Sequence, residues 1–141
     1  MCLSAIYVSV RGKGYVRVFV TKSFRRFQRK EDIKDAALSD AVERAERGLI
    51  AADLGGGLIK QRVARPGKGK SGGFRTIIAY RSGQRAFFVF GFAKSDRDNL
   101  STTDERDLKD FAGLLMALSE RGIETMLNGK ELTEVRYEEE S

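Results

Sequence analysis

Residues 58–94 read LIKQRVARPGKGKSGGFRTIIAYRSGQRAFFVFGFAK, and this stretch decides the fold. Leu58–Val63 sets cations between aliphatic residues and reads as a strand. Arg65-Pro66-Gly67-Lys68-Gly69-Lys70-Ser71-Gly72-Gly73 is a loop by its glycine and proline content. Phe74–Tyr80 and Ala86–Ala93 are strand-like runs joined at a Ser82-Gly83 turn, the pattern of a hairpin. The second run is nearly all apolar through Phe87, Phe88, Val89, Phe90 and Phe92, as a central strand covered on both faces requires.

Upstream, Tyr15–Val20 places Val16, Val18 and Val20 on one side and Arg17 and Phe19 on the other, again a period of two. Residues 1–14 hold a further strand-like piece (Ile6, Tyr7, Val8, Val10) ending in a glycine-rich turn at Arg11–Gly14. Thr21 or Ser23 caps a short helix bearing Phe24 and Phe27 on one face. A second helix runs from about Lys34 to a stop at Gly48, with Ala37, Leu38, Ala41, Val42 and Ala45 as its apolar face. Asp40, Glu43, Glu46 and Arg47 are assigned to its wet face, and Gly55-Gly56-Gly57 to a flexible break.

Downstream, Ser101 to Asp104 and Thr102 to Glu105 both match a capping box. The helix they open carries Leu108, Phe111, Ala112, Leu115, Met116 and Leu118 and ends near Gly122. A short helical turn and a weak strand over Leu132–Tyr137 follow. This order predicts a small α+β domain, an antiparallel β-sheet with helices packed on one side.

Charge is unevenly spread along the 141 residues. Residues 58–100 carry ten Lys/Arg against two acids, whereas residues 101–141 carry five against eleven. A cationic centre whose charges alternate with apolar residues is the footprint of a polyanion partner, nucleic acid above all. Apolar runs fall short of the roughly 20 residues a membrane span needs, and the opening MCLSAIYVSV lacks the organisation of a signal peptide. Cys2 is the single cysteine, which fits a cytoplasmic location. With no histidine in the chain, a His-based triad and an imidazole general base are excluded.

Gly69-Lys70-Ser71 has the ending of a P-loop, but that motif needs a glycine where Ala64 stands and a helix after the serine. The glycines instead permit close approach of the backbone to a ligand, with Lys68 and Lys70 supplying charge. Lys60 and Arg62 lie two apart on one strand and share a face. Arg75 opens the next strand and Lys94 ends the one after it, so the four converge on a cationic surface. Such a surface requires no cofactor to act on RNA, whose 2′-OH is its own nucleophile. Cations placed around the scissile phosphate hold it in line and stabilise the charge of the phosphorane. DNA lacks that hydroxyl.

Leu58-Ile-Lys-Gln-Arg-Val63, the loop Gly67–Gly73, Phe74-Arg75 before an Ile-Ile pair, and Phe92-Ala-Lys94 followed by Arg97-Asp-Asn-Leu100 resemble the RelE/ParE superfamily of toxins, in its HigB-like branch. The resemblance covers residues 16–120 and implies a single RelE-like toxin domain over 1–141, with 1–14 and 123–141 as terminal extensions. It implies a type II toxin–antitoxin toxin that cleaves mRNA on the ribosome as a metal-independent endoribonuclease. The partners it implies are ribosome-bound mRNA and a cognate helix-turn-helix antitoxin, with no membrane. By position, Lys60, Arg62, Arg75 and Lys94 match the family's catalytic cations, and Lys68, Lys70, Arg65 and Arg97 form the RNA-binding set. Arg62 stands where some relatives have lysine, and Ser95 and Ser101 where some carry an arginine and a stacking tyrosine. Two other readings fit the same cationic sheet: a non-catalytic RNA- or ribosome-binding module, and a gyrase-directed toxin of the same fold.

Overall fold

The computed structural model describes residues 8–9, 15–65, 69–93 and 100–136. In chain order the elements are β1 (Val8–Ser9), β2 (Tyr15–Thr21), α1 (Lys22–Lys30), α2 (Asp35–Glu46), β3 (Ala52–Gly55) and β4 (Leu58–Arg65). They continue as β5 (Gly69–Arg81), β6 (Arg85–Ala93), α3 (Thr102–Met116), α4 (Glu120–Asn128) and β7 (Leu132–Val135). The sheet runs β7-β2-β6-β5-β4-β3, and β1 pairs with the start of β2, Val8 opposite Val16.

The α+β class holds, with two differences in detail from the expectation. First, the sheet is mixed: β3 to β6 form an antiparallel meander, but β2 pairs with β6 in parallel, Phe19 opposite Phe87. Two helices and three strands intervene between β2 and β6, so tight-turn logic does not apply to that pair. Second, helices cover both faces. Val16, Val18, Val20, Ile59, Val63, Phe74, Ile78 and Phe88 pack under α1 and α2. Phe19, Leu58, Ile77, Ala79 and Phe87 pack under α3 and α4. The physical reason is β6 itself, whose phenylalanines emerge on both sides and must be kept from water on both.

Local sequence explains most of the boundaries. Thr21 caps α1, its hydroxyl accepting from the Phe24 amide at 3.3 Å, and Ser101 caps α3 by accepting from Asp104 N at 3.0 Å. The helix expected to continue to Gly122 instead stops at Met116. Ser119 then caps α4, accepting from Gly122 N at 3.0 Å. Leu118 extended the apolar pattern across that break by packing against the same core. Gly55, Gly56 and Gly57 are no flexible break but the positive-φ corner of the β3–β4 hairpin. The expected loop is shorter than predicted, because Gly69–Gly73 belong to β5 and Arg65 pairs with Gly69 beyond a bulge. A Cβ at Gly73 would lie 2.7 Å from the Val63 carbonyl oxygen, so only glycine lets the strands close there.

Glu46 departs from its assignment to the wet face of α2. It is 5% exposed and accepts from the Tyr80 hydroxyl and from Gly83 N, tying α2 to the β5–β6 turn. Of the N-terminal strand-like piece, only Val8–Ser9 lies within the described residues. No described helix is long and apolar enough to cross a membrane.

Candidate nucleic-acid interface

The side chains of β4 alternate between the two cores. Ile59 and Val63 enter the core under α1 and α2, while Leu58 enters the one under α3. The intervening parity therefore puts Lys60 and Arg62 on the α3 face. Cross-strand register completes the cluster on that face. Arg62 stands opposite Arg75, Lys60 opposite Ile77, Arg75 opposite Phe92 and Ile77 opposite Phe90. Part of this face, around Leu58, Ala79 and Phe87, is packed with Ala112 and Leu115 of α3. The neighbouring part presents the three cations.

Arg62 is exposed, while Lys60 and Arg75 are half-buried. Arg75 Nη1 is out of solvent contact. A guanidinium partly withdrawn from water acts through a lower effective dielectric and attracts a phosphate more strongly than an exposed one does. Its fork of N–H donors suits two oxygens of one phosphate. Phe90 and Phe92 adjoin the cations with ring centroids 6.1 Å apart. Phe92 is 5% exposed and belongs to the core, whereas Phe90 is only partly covered.

Beneath the cations lies a residue that was not singled out in the sequence. Gln61, between Lys60 and Arg62, points to the opposite face and is 1% exposed. Its Nε2 donates to the carbonyls of Ala41 (3.0 Å) and Leu49 (2.9 Å), and its Oε1 accepts from Ala51 N (3.2 Å). The amide thus fixes β4 against α2 and the segment entering β3. A polar residue at the core-facing parity of a strand was the available signal. Arg44 was missed too. Its Nη2 donates to the Arg62 carbonyl at 2.7 Å and its Nε to Asp40 at 2.9 Å, holding β4 at the position that carries the exposed arginine.

The structure therefore brings together Lys60, Arg62 and Arg75. Arg65 and Lys70 sit on β4 and β5. Lys68, Lys94 and Arg97 lie outside the described residues. Among the described residues no group of three or more Asp, Glu or Cys side chains is arranged to hold a metal ion. Chemically, the cluster offers positive charge and directed N–H donors to a phosphodiester.

The family model described as the RelE toxin of the RelE/RelB toxin–antitoxin system matches residues 16–135. No curated protein matches the chain.

Proposed function

This chain belongs to the RelE family of toxin–antitoxin toxins, and from that premise we propose that it is a ribosome-dependent mRNA endoribonuclease of the HigB-like branch. It acts in the cytoplasm and is neutralised by a cognate antitoxin of the helix-turn-helix type. The observation that supports this reading most directly is the placement of Arg62 opposite Arg75, with Lys60 two residues along the same face.

In the proposed reaction the 2′-OH attacks the adjacent phosphorus and the P–O5′ bond breaks, leaving a 2′,3′-cyclic phosphate and a 5′-hydroxyl. Arg75 and Arg62 bind the non-bridging oxygens and stabilise the extra negative charge of the phosphorane. Lys60 lies beside them, and Lys94 completes the catalytic set. Lys68, Lys70, Arg65 and Arg97 hold flanking phosphates. The reaction needs no metal, since the substrate supplies the nucleophile and the protein supplies the charge. The single-domain organisation, with 1–14 as an extension, belongs to the same reading, while Ile123, Leu132 and Val135 lie in the core itself.

The test is cleavage of mRNA on purified programmed ribosomes with the product ends mapped. Cyclic or 3′-phosphate ends, formed equally by toxin stripped with EDTA before it meets magnesium-replete ribosomes, are expected. Products with 3′-hydroxyl ends would refute the 2′-OH mechanism. Intact mRNA accompanied by ribosome binding would favour the non-catalytic module, and intact mRNA with blocked DNA supercoiling the gyrase-directed toxin.

A further inference from the structure

Arg62 borders a second feature, a pocket of about 300 Å³ between α2 and β4. Its lining is Ala37, Asp40 and Arg44 of α2 with Arg62 and Ala64 of β4. The helical residues follow the spacing i, i+3, i+7 and so form one stripe on α2. The shortness of β3 leaves room for the pocket. Among the described residues β3 pairs only with Leu58, Ile59 and Lys60, so β4 beyond Lys60 has no strand on its outer side. Arg44 closes part of that open edge by donating to the Arg62 carbonyl.

Small methyl groups and one ion pair make up the chemistry of this pocket. Ala37 and Ala64 give it apolar walls without bulk. Arg44 Nε donates to Asp40 Oδ2 at 2.9 Å, while its Nη2 is anchored on the Arg62 carbonyl at 2.7 Å. Arg44 is half-buried and Asp40 exposed, so the arginine is fixed and the carboxylate is open to a ligand. A guanidinium has five N–H donors and a carboxylate about four acceptor positions. Both groups therefore keep hydrogen-bonding capacity beyond the pair. Joined in this way, they set an N–H donor beside two carboxylate oxygens. Cytosine offers the same row of donor, acceptor and acceptor along its pairing edge.

We propose that this pocket reads a guanine base next to the scissile phosphate, with Asp40 as the specificity-determining residue. Guanine O6 accepts from Arg44, its N1–H and N2–H donate to Asp40, and its faces lie against the methyl groups of Ala37 and Ala64. Adenine would turn its amino group toward the guanidinium and its N1 lone pair toward the carboxylate, a mismatch at both. Single-stranded RNA is read along such edges once its bases are unstacked. An added peptide strand suits the pocket less well, because the Arg62 carbonyl, an edge acceptor, already accepts from Arg44. This specificity rests on the ribonuclease reading, since a phosphate bound by Arg62 is what brings the neighbouring base to the pocket.

The experiment measures single-turnover cleavage by the full chain on ribosomes programmed with an adenosine codon in which one position is guanosine, inosine or adenosine. Cleavage beside guanosine is expected to exceed that beside adenosine about tenfold or more, the discrimination typical of a bidentate base contact. Inosine, which lacks the N2 amino group, should fall between them. Asp40→Asn is a nearly isosteric change at an exposed position, so the fold stays intact, as circular dichroism will report. It should erase the preference while cleavage beside adenosine continues at the wild-type rate. Ala37→Leu, which fills the pocket, should do the same. Equal rates for the three bases in the wild type, or an intact preference in Asp40→Asn, would overturn the proposal. A second readout separates it from the reading it rests on: anisotropy of a fluorescein-labelled 2′-O-methyl pentanucleotide, all adenosine or with a central guanosine, on the free chain. Ribosomes that yield no cleavage with any codon would refute the ribonuclease reading. Tighter binding of the guanosine oligonucleotide, lost in Asp40→Asn, would still support the pocket, and equal binding of the two would overturn it.

Discussion

Arg62 and Arg75 face each other directly across the β4–β5 ladder, two like charges at one cross-strand position on one face of the sheet. Opposed like charges destabilise a ladder by some tenths of a kcal/mol. The arrangement becomes favourable when a phosphate lies between the two guanidinium groups. Arg75→Ala should therefore lower single-turnover cleavage on programmed ribosomes by about 10²–10³, the loss typical of one transition-state donor. The melting temperature should change little, and Arg62→Ala should fall in the same direction. Wild-type toxicity of Arg75→Ala at equal expression would show that the site is misplaced.

Gln61→Leu tests the support beneath the cations. The substitution replaces the amide with an apolar side chain of similar size, removes the bond to the Ala41 carbonyl, and leaves the Leu49 carbonyl and the Ala51 amide without their partner. Each unsatisfied buried group costs about 1–3 kcal/mol, so urea unfolding should show a loss of at least a few kcal/mol. Unchanged stability would mean that these groups find replacements.

A helix–sheet contact is tested at Gly91. A Cβ there would fall 2.5 Å from Phe27 Cε2 and 3.0 Å from Phe24 Cε1. Gly91→Ala should destabilise the fold by about 1–3 kcal/mol, the usual cost of overpacking. Combining it with Phe27→Leu should recover part of the loss, and strictly additive losses in a double-mutant cycle would place the strain elsewhere.

The pH dependence turns on Tyr80. Burial, and then the Glu46 carboxylate, raise its hydroxyl well above the ordinary phenol value. The folded state thus holds the proton more tightly than the unfolded chain does. The resulting stabilisation is fully present below about pH 10, the unfolded value, and is lost as pH rises toward the folded one. Alkaline absorbance titration should find one tyrosine of the four ionising last, and Tyr80→Phe should remove that late step. The variant should also flatten the decline in stability above pH 10. An unaltered titration curve in Tyr80→Phe would rule this out.

Much of the fold was readable from local pattern. Val16, Val18 and Val20 share a face, Thr21 and Ser101 cap their helices, and the Ser82-Gly83 turn joins the longest strands. The central cations were readable for the same reason, since alternation with Ile59 and Val63 fixes which face Lys60 and Arg62 occupy. What escaped depends on partners distant in the chain. Nothing within β2 announces a parallel neighbour at Ala86–Phe88. Glu46 looked solvated because its partners, Tyr80 and Gly83, are brought to it only by tertiary folding. The pocket beside Arg62 was hidden by dispersal, with its lining divided between residues 37–44 and 62–64.

Separation along the chain also bears on the order of assembly. The meander β4-β5-β6, which carries Lys60, Arg62 and Arg75, is contiguous and closes through tight hairpins. β2 has no described strand partner between its own synthesis and that of β6, β1 apart, and it gains β7 only after α4. Loop closure across such spans is slow compared with hairpin formation. The cationic meander should therefore gain structure first during refolding, with protection of the β2 amides as the late kinetic phase. The cationic face is thus built before the edge that completes the domain, and a nascent chain carries its charge pattern well before it has a finished fold.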